Sequence, residues 1–184
     1  GTGLLTTHSL NSIITDSANS ASAYTTGHKS SVNALGVYAD RTKNTLDDPK
    51  QETIAELVKR RRNMAVGVVT DAEVQDATPA SVVAHTRRRD DKAEITGMFF
   101  DAGVDVLLGG GSAYFLPKAT AGSRRADETD YIGRFRQAGY QVVSVSPGFD
   151  HVELRSADRF IDTGQLGLFE FKLDAAKAIP LEEV

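Results

Sequence analysis

The chain contains no cysteine among its 184 residues. That absence excludes a disulfide framework, a thiolate metal site and a cysteine nucleophile, and it leaves the redox compartment undecided. No apolar run is long enough to span a bilayer, which takes about 20 consecutive apolar residues. Residues 1–8 show no basic region ahead of an apolar core, so they do not read as a secretory signal. They also lack an initiator methionine, as expected of a processed or excised chain. A basic excess is missing too: the formal net charge is −4, which argues against nucleic-acid binding, where a basic face is needed. Neither an internal repeat nor a low-complexity linker is present.

What is present is ordinary for a soluble globular protein, with 40% hydrophobic and 25% charged residues. The length suits one domain, or a part of a larger one, and residues 1–184 are taken as one unit. Three basic clusters, Arg60-Arg61-Arg62, Arg87-Arg88-Arg89 and Arg124-Arg125, read as solvated helix ends or loops. Apolar, valine-rich runs at 64–70, 104–108 and 140–145 predict buried strands. Helical spacing predicts helices opening at Asp47-Asp48-Pro49 and closing at Arg62, with Ile54, Leu57 and Val58 as its apolar stripe. Others are predicted over 91–102, with Ile95, Met98 and Phe99 inward and Gly103 as the stop, and around Tyr131, Ile132 and Phe135, ending near Gly139. Residues 30–50 are polar and turn-rich, with Leu35-Gly36-Val37-Tyr38 the strand-like piece. Residues 71–75 read as a loop, and 147–184 as less regular. Strands alternating with helices in this way predict an α/β fold with a mostly parallel sheet flanked by helices. Ligands of such sheets bind at the carboxyl ends of the strands.

Two stretches carry candidate chemistry. In the first, Ile13-Ile14-Thr15 has strand preference and passes into the small residues of Asp16-Ser17-Ala18-Asn19-Ser20-Ala21, a helix closed at Gly27. Asp16 or Ser17 falls at the helix start, where side-chain oxygens cap free N–H groups and an anion is stabilised. Ser17 there either caps, binds phosphate or attacks it. In the second, Asp76 and Thr78 place a carboxylate and a hydroxyl two residues apart at a strand–helix junction, a donor pair suited to Mg²⁺. Thr78-Pro79 predicts a helix start with threonine as N-cap, running to about His85. Arg89, one helix length later, offers a planar fork for a phosphate, or simply faces solvent. The Gly109-Gly110-Gly111 run lacks the spacing and lysine of a phosphate loop and reads as a structural turn. His8, His28, His85 and His151 show no metal-ligand spacing and are taken as non-ligands.

Taken together, these segments resemble the alkaline phosphatase family. The resemblance rests on Thr15-Asp16-Ser17-Ala18, Tyr24-Thr25-Thr26-Gly27, Leu35-Gly36-Val37 and Val66-Gly67-Val68-Val69-Thr70. It continues through Asp76-Ala77-Thr78-Pro79-Ala80, Ala84-His85-Thr86 up to Arg89, the segment 103–111, and Leu166-Gly167-Leu168-Phe169. It implies an incomplete alkaline phosphatase-like fold and hydrolysis of phosphate monoesters through a phosphoserine in a site of two zinc ions and one magnesium. By position, Ser17 is implied as the nucleophile and a zinc ligand, Arg89 as the holder of phosphate oxygens, and Asp16 as the residue that steadies Arg89. Thr78 is implied as a magnesium ligand, and Asp76 as acting on that magnesium through bound water. A homodimeric, periplasmic or secreted parent is implied as well. The family's upstream aspartate and its downstream aspartate, histidine and glutamate ligands are not found in this chain, which is therefore expected to be inactive alone. The competing readings are a non-catalytic fragment that binds phosphate, and a related phosphodiesterase or sulfatase.

Overall fold

Two valine- and leucine-rich runs, separated in sequence by helices, lie side by side as parallel strands. They are β1 (Gly67–Glu73) and β2 (Val106–Gly110), with Gly67 opposite Val106 and Val69 opposite Leu108. The computed structural model describes residues 6–143, 151–152, 160–162 and 170–171. Within them β3 (Gln141–Val143) and β5 (Phe160–Asp162) complete a four-stranded parallel sheet in the order β1-β2-β5-β3. A separate parallel pair joins β4 (His151–Val152) to β6 (Glu170–Phe171). The helices are α1 (Ser17–Thr26), α2 (Ile54–Arg62), α3 (Ala77–Ala80), α4 (Lys92–Ala102) and α5 (Tyr131–Gln137). Parallel pairing requires such crossovers, because the chain must return to the same end of the sheet.

The core sits between β2 and the helices α4 and α5. Ile95, Phe99, Leu107, Phe115 and Phe135 have no exposed surface. Phe135 meets Tyr140 edge-on at 4.9 Å and Phe100 at 5.1 Å between ring centroids, an arrangement that aromatic quadrupoles favour. α4 follows its sequence pattern: Ile95 and Phe99 are buried, Met98 packs against the core, and Gly103 ends the helix in a left-handed conformation.

Several elements depart from the sequence reading, each for a local reason. Ile13 and Ile14 form no strand. They are 92% and 81% exposed in a loop, because β-branched preference needs a pairing neighbour and none is adjacent. α2 begins at Ile54, not at Asp47-Asp48-Pro49, since Thr53 and Glu56 form a reciprocal capping box. Its inward face is Ala55 and Val58, while Ile54 is half exposed. β1 starts later than expected and takes in Asp71, Ala72 and Glu73 instead of leaving them as a loop. Val69 on it is 58% exposed, so the strand is buried on one face only. The helix expected from Thr78 to His85 is the single turn α3. Asp76, not Thr78, occupies its N-cap position, and turns carry the chain on to the bridge at Thr86. Arg125 is not solvated. It is buried, bonded to Asp127 and to the carbonyls of Ala93 and Tyr114, and stacked over Tyr131. β5 had no counterpart in the sequence reading. The Leu166-Gly167-Leu168-Phe169 stretch and positions 144–145 of the third expected strand lie outside the described residues.

The glycine run after β2 is structural. Gly109 and Gly110 end the strand against β1, and Gly111 turns at φ +95° beside Gln75. Gly36 is more demanding: its φ is +55°, and an added Cβ would collide with the Ala84 carbonyl oxygen and lie 2.9 Å from His85 Nδ1. Gly36→Ala is therefore expected to destabilise the fold by about 2–5 kcal/mol, as backbone strain and overpacking add. Urea unfolding measures this; a loss below about 0.5 kcal/mol, the scale of a surface change, would show that residues 33–37 do not need the close approach.

Candidate active site

The site begins at the first turn of α1. Asp16 is its N-cap: the carboxylate accepts from the Asn19 N–H at 3.1 Å, and the Asn19 side chain accepts from the Asp16 N–H at 3.0 Å. Ser17, the first helical residue, is left exposed at the positive end of the helix. The small residues behind it explain the placement. Ala18, Ala21 and Ser22 are buried, which lets α1 lie close to α3. Ser22 Oγ accepts from the Gly36 N–H at 3.0 Å and reaches the Ala34 carbonyl at 3.2 Å, and Thr25 donates to the Ser81 carbonyl at 2.9 Å.

Arg89 arrives from a segment fixed to that same frame. Leu35 and Thr86 exchange backbone bonds of 2.7 and 2.9 Å, and the Arg89 N–H donates to the Asn33 carbonyl at 2.9 Å. His85, buried, places Nδ1 2.7 Å from the Gly36 carbonyl and Nε2 2.8 Å from the Glu56 carboxylate. Residues 33–37 thus tie α1 on one side to residues 85–89 on the other. The guanidinium of Arg89 then donates to Ser17 Oγ at 2.6 Å through Nη1 and to Asp76 Oδ1 at 2.8 Å through Nη2. Its approach to Asp16 Oδ2 is longer, 3.5 Å.

The structure thus brings Asp16, Ser17, Asp76 and Arg89 together, although no strand precedes Ser17. Asp76 is the closer carboxylate partner of Arg89, a role the sequence reading gave to Asp16. Thr78 lies on α3, exposed, and its hydroxyl makes no hydrogen bond among the described residues. With Pro79 and Val82 it lines a cleft of about 280 Å³ beside Val69 and Thr70 of β1. A larger cavity, about 630 Å³, lies over α2 between Glu56, Lys59 and Asp101, and its lining includes neither Ser17 nor Arg89. Of the histidines, His85 is engaged as above, His28 meets Tyr38 edge-on, and His8 is exposed; the His151 side chain is outside the described set.

Electrostatically the crevice keeps its carboxylate ionised. Burial works to raise the Asp76 pKa, but the Arg89 hydrogen bond, the Ala77 N–H and the charges of Arg89 and Lys92 outweigh it and hold it below the usual aspartate range. Lys92 is a residue the sequence reading missed. It opens α4, pairs with Glu73 at the end of β1 and adds positive charge beside Asp76. Its position three residues after Arg89 was the available signal.

The possible metal-donor atoms gathered beside Ser17 are oxygens, its own hydroxyl and the carboxylates of Asp16 and Asp76, while the Thr78 hydroxyl lines the neighbouring cleft against β1. Oxygens alone suit a hard cation of the Mg²⁺ type, and the Thr78 hydroxyl, two residues on from Asp76, is engaged by no hydrogen bond among the described residues. Nitrogen donors, which zinc commonly takes, are absent from the crevice among the described residues.

A parallel α/β sheet with a polar crevice at the carboxyl end of an outer strand defines the class of the fold. The sequence places it further: residues 1–178 match the alkaline phosphatase family, and the chain belongs to that family. It is 35% identical over 175 residues to an alkaline phosphatase of Escherichia fergusonii, covering 85% of this chain and 34% of that protein. It is 35% identical over 158 residues to the alkaline phosphatase of Escherichia coli K12, covering 76% of this chain and 31% of that protein. Among solved structures, a variant of the alkaline phosphatase of the Antarctic bacterium TAB5, described with Mg bound in its M3 site, matches with a TM-score of 0.71. That match is 26% identical and covers 90% of this chain and 44% of the other. The fold is therefore that of the alkaline phosphatases, present here in part. The chain spans about a third of the length of these curated relatives.

A depressed carboxylate pKa contributes stability above its unfolded value, about 3.9, and loses it as pH falls through the folded value. Asp76→Asn removes that contribution. The variant should lose less stability than the parent chain between pH 5 and pH 3, as followed by thermal unfolding. Identical pH slopes would show that the Arg89–Asp76 bond does not persist in solution.

Proposed function

We propose that this chain carries the phosphoryl-transfer centre of a phosphomonoesterase, with Ser17 as nucleophile. The observation that carries the reading is the 2.6 Å bond from Arg89 to Ser17 Oγ at a helix N-terminus. A guanidinium has only donors, so Ser17 Oγ is the acceptor there, and the bond favours the alkoxide over the hydroxyl. In the proposed reaction the Ser17 Oγ–P bond forms as the ester P–O bond breaks, and the departing alcohol takes up a proton. Water then attacks phosphorus and releases Ser17 and inorganic phosphate. Arg89 exchanges its serine and carboxylate contacts for phosphoryl oxygens, and the α1 N–H groups add to the neutralisation of charge. Asp16 and Asp76 hold the guanidinium at both ends so that it is aimed before substrate arrives.

We assign Thr78 and Asp76 to a magnesium site, Asp76 acting through water, and Ser17 also to a zinc ion. Metal bound there would supply charge stabilisation and a more acidic serine or water. The nitrogen ligands of zinc would come from residues other than these, and this chain by itself is expected to be inactive. Among the described residues no helix is long and apolar enough to cross a membrane. A homodimeric, periplasmic or secreted protein is the setting we propose.

Arg89→Ala and Thr78→Val separate phosphate binding from metal binding in an active protein that contains this chain. Loss of Arg89 should weaken inhibition by inorganic phosphate and lower kcat/KM by roughly tenfold to over a hundredfold, the worth of a charge-assisted contact of about 1.5–3 kcal/mol. Thr78→Val should raise the Mg²⁺ requirement and be partly rescued by excess Mg²⁺. It should leave stability nearly unchanged, because Thr78 is exposed and caps no helix. Unaltered phosphate inhibition in the first, or an unaltered Mg²⁺ requirement in the second, contradicts that residue's assignment.

A further inference from the structure

The loop between residues 40 and 48 holds a second group of acids, apart from the crevice around Ser17. One carboxylate oxygen from each of Asp40, Asp47 and Asp48 lies within 4.8 Å of the others. Exposed acidic clusters are common and would carry nothing, but Asp48 is not exposed. Its side chain has no accessible surface, and its Oδ2 is buried without a hydrogen-bond partner. Leaving a charged oxygen so is costly unless a cation or water meets it.

The neighbouring bonds show which atoms remain open. Asp48 Oδ1 accepts from the Asp40 N–H at 2.6 Å, and Asp47 Oδ1 accepts from Thr42 Oγ1 at 2.8 Å. Asp40 Oδ1 accepts from the Thr42 N–H at 2.7 Å and from Arg87 at 3.3 Å. In each carboxylate Oδ1 is held by a protein donor and Oδ2 is left to something else. Arg87 donates to the carbonyls of Asp40, Thr42 and Asn44, and its guanidinium pairs with Oδ1 of Asp40 at 3.3 Å and of Asp48 at 3.9 Å. The Thr42 N–H, with a smaller effect from Arg87, holds the Asp40 carboxyl below its usual range, so it is ionised.

We propose that Asp40, Asp47 and Asp48 bind a calcium ion through one carboxylate oxygen each. All three donors are hard oxygens on an irregular loop, two of them on exposed residues and the third, Asp48, buried. Ca²⁺ accepts that flexible geometry, whereas Mg²⁺ demands a near-ideal octahedron, and Zn²⁺ seeks the nitrogen or sulfur that this loop does not offer. The protein bonds to Oδ1 are the outer-shell contacts that orient such ligands. The site lies on the approach to the Arg89 segment, since the Arg87 N–H donates to the Thr45 carbonyl and Thr45 and Thr86 share Asp91.

Calcium titration followed by calorimetry and by the thermal unfolding midpoint tests this independently of the phosphatase reading. Titrations with Ca²⁺ and with Mg²⁺ are run separately on the parent chain and on the loop variants, so that only binding lost with the loop carboxylates is counted. The expected result is one saturable Ca²⁺ site that Mg²⁺ does not fill, with a rise in unfolding temperature. Asp47→Asn, an exposed position that tolerates change, and Asp48→Asn should each weaken it by about tenfold or more. No saturable calcium binding, binding unchanged in both variants, or equal filling by Mg²⁺ would each overturn the proposal. The first of these is the result that a buried water on Asp48 gives.

Discussion

The arrangement around Ser17 depends on the pairing of residues 33–37 with residues 84–89. Those few bonds decide where a mobile arginine side chain is anchored, and they do so through backbone groups that cannot drift. Leu35, Gly36 and Asn33 receive Thr86, His85 and Arg89 in succession, while Ser22 holds the same short segment to α1. The serine and the arginine lie 72 residues apart in sequence, yet each is fixed to one intervening strip. Gly36 permits the strip to approach, since no side chain fits between it and the Ala84 carbonyl.

Charge completes what the backbone begins. A half-buried guanidinium needs acceptors, and Asp76 and Asp16 provide them from two different elements, the start of α3 and the start of α1. Each carboxylate gains from standing at a helix start, where backbone N–H groups are free, though α3 is too short to contribute much by itself. The cost of gathering an arginine, two carboxylates and a hydroxyl in one crevice is met by the aromatic and aliphatic core, one cluster that begins behind the site at Ala18, Leu35 and Ala77 and continues to the sheet. There Phe99, Phe115 and Phe135 are wholly enclosed.

Much of this was legible from residue order. The abrupt change at Asp16-Ser17 from bulky to small residues marked a helix start, and Gly27 and Gly103 marked two helix ends. Asp76 and Arg89 were legible as members of one crevice because a strand end and a helix length separate them. Other features were not, for physical reasons. Ile13 and Ile14 carried strand preference without a strand to pair with, and propensity alone cannot supply one. The α2 start was misplaced because acids and proline at 47–49 signal a helix start as well as Thr53 and Glu56 do. The deciding factor was that Asp48 is used by the Asp40 N–H. That Asp76 would bind Arg89 more closely than Asp16 is a matter of ångströms, set by packing that sequence spacing does not encode.

The central claim is that Ser17, held beside Arg89, is the atom that takes the phosphoryl group. The direct measurement is mass spectrometry on an active family protein containing this chain, acid-quenched after incubation with phosphate. The account predicts a single phosphate on Ser17, lost in Ser17→Ala and strongly reduced in Arg89→Ala. A label on Thr15 or Ser20, or hydrolysis that continues in Ser17→Ala without any covalent phosphate, would contradict it.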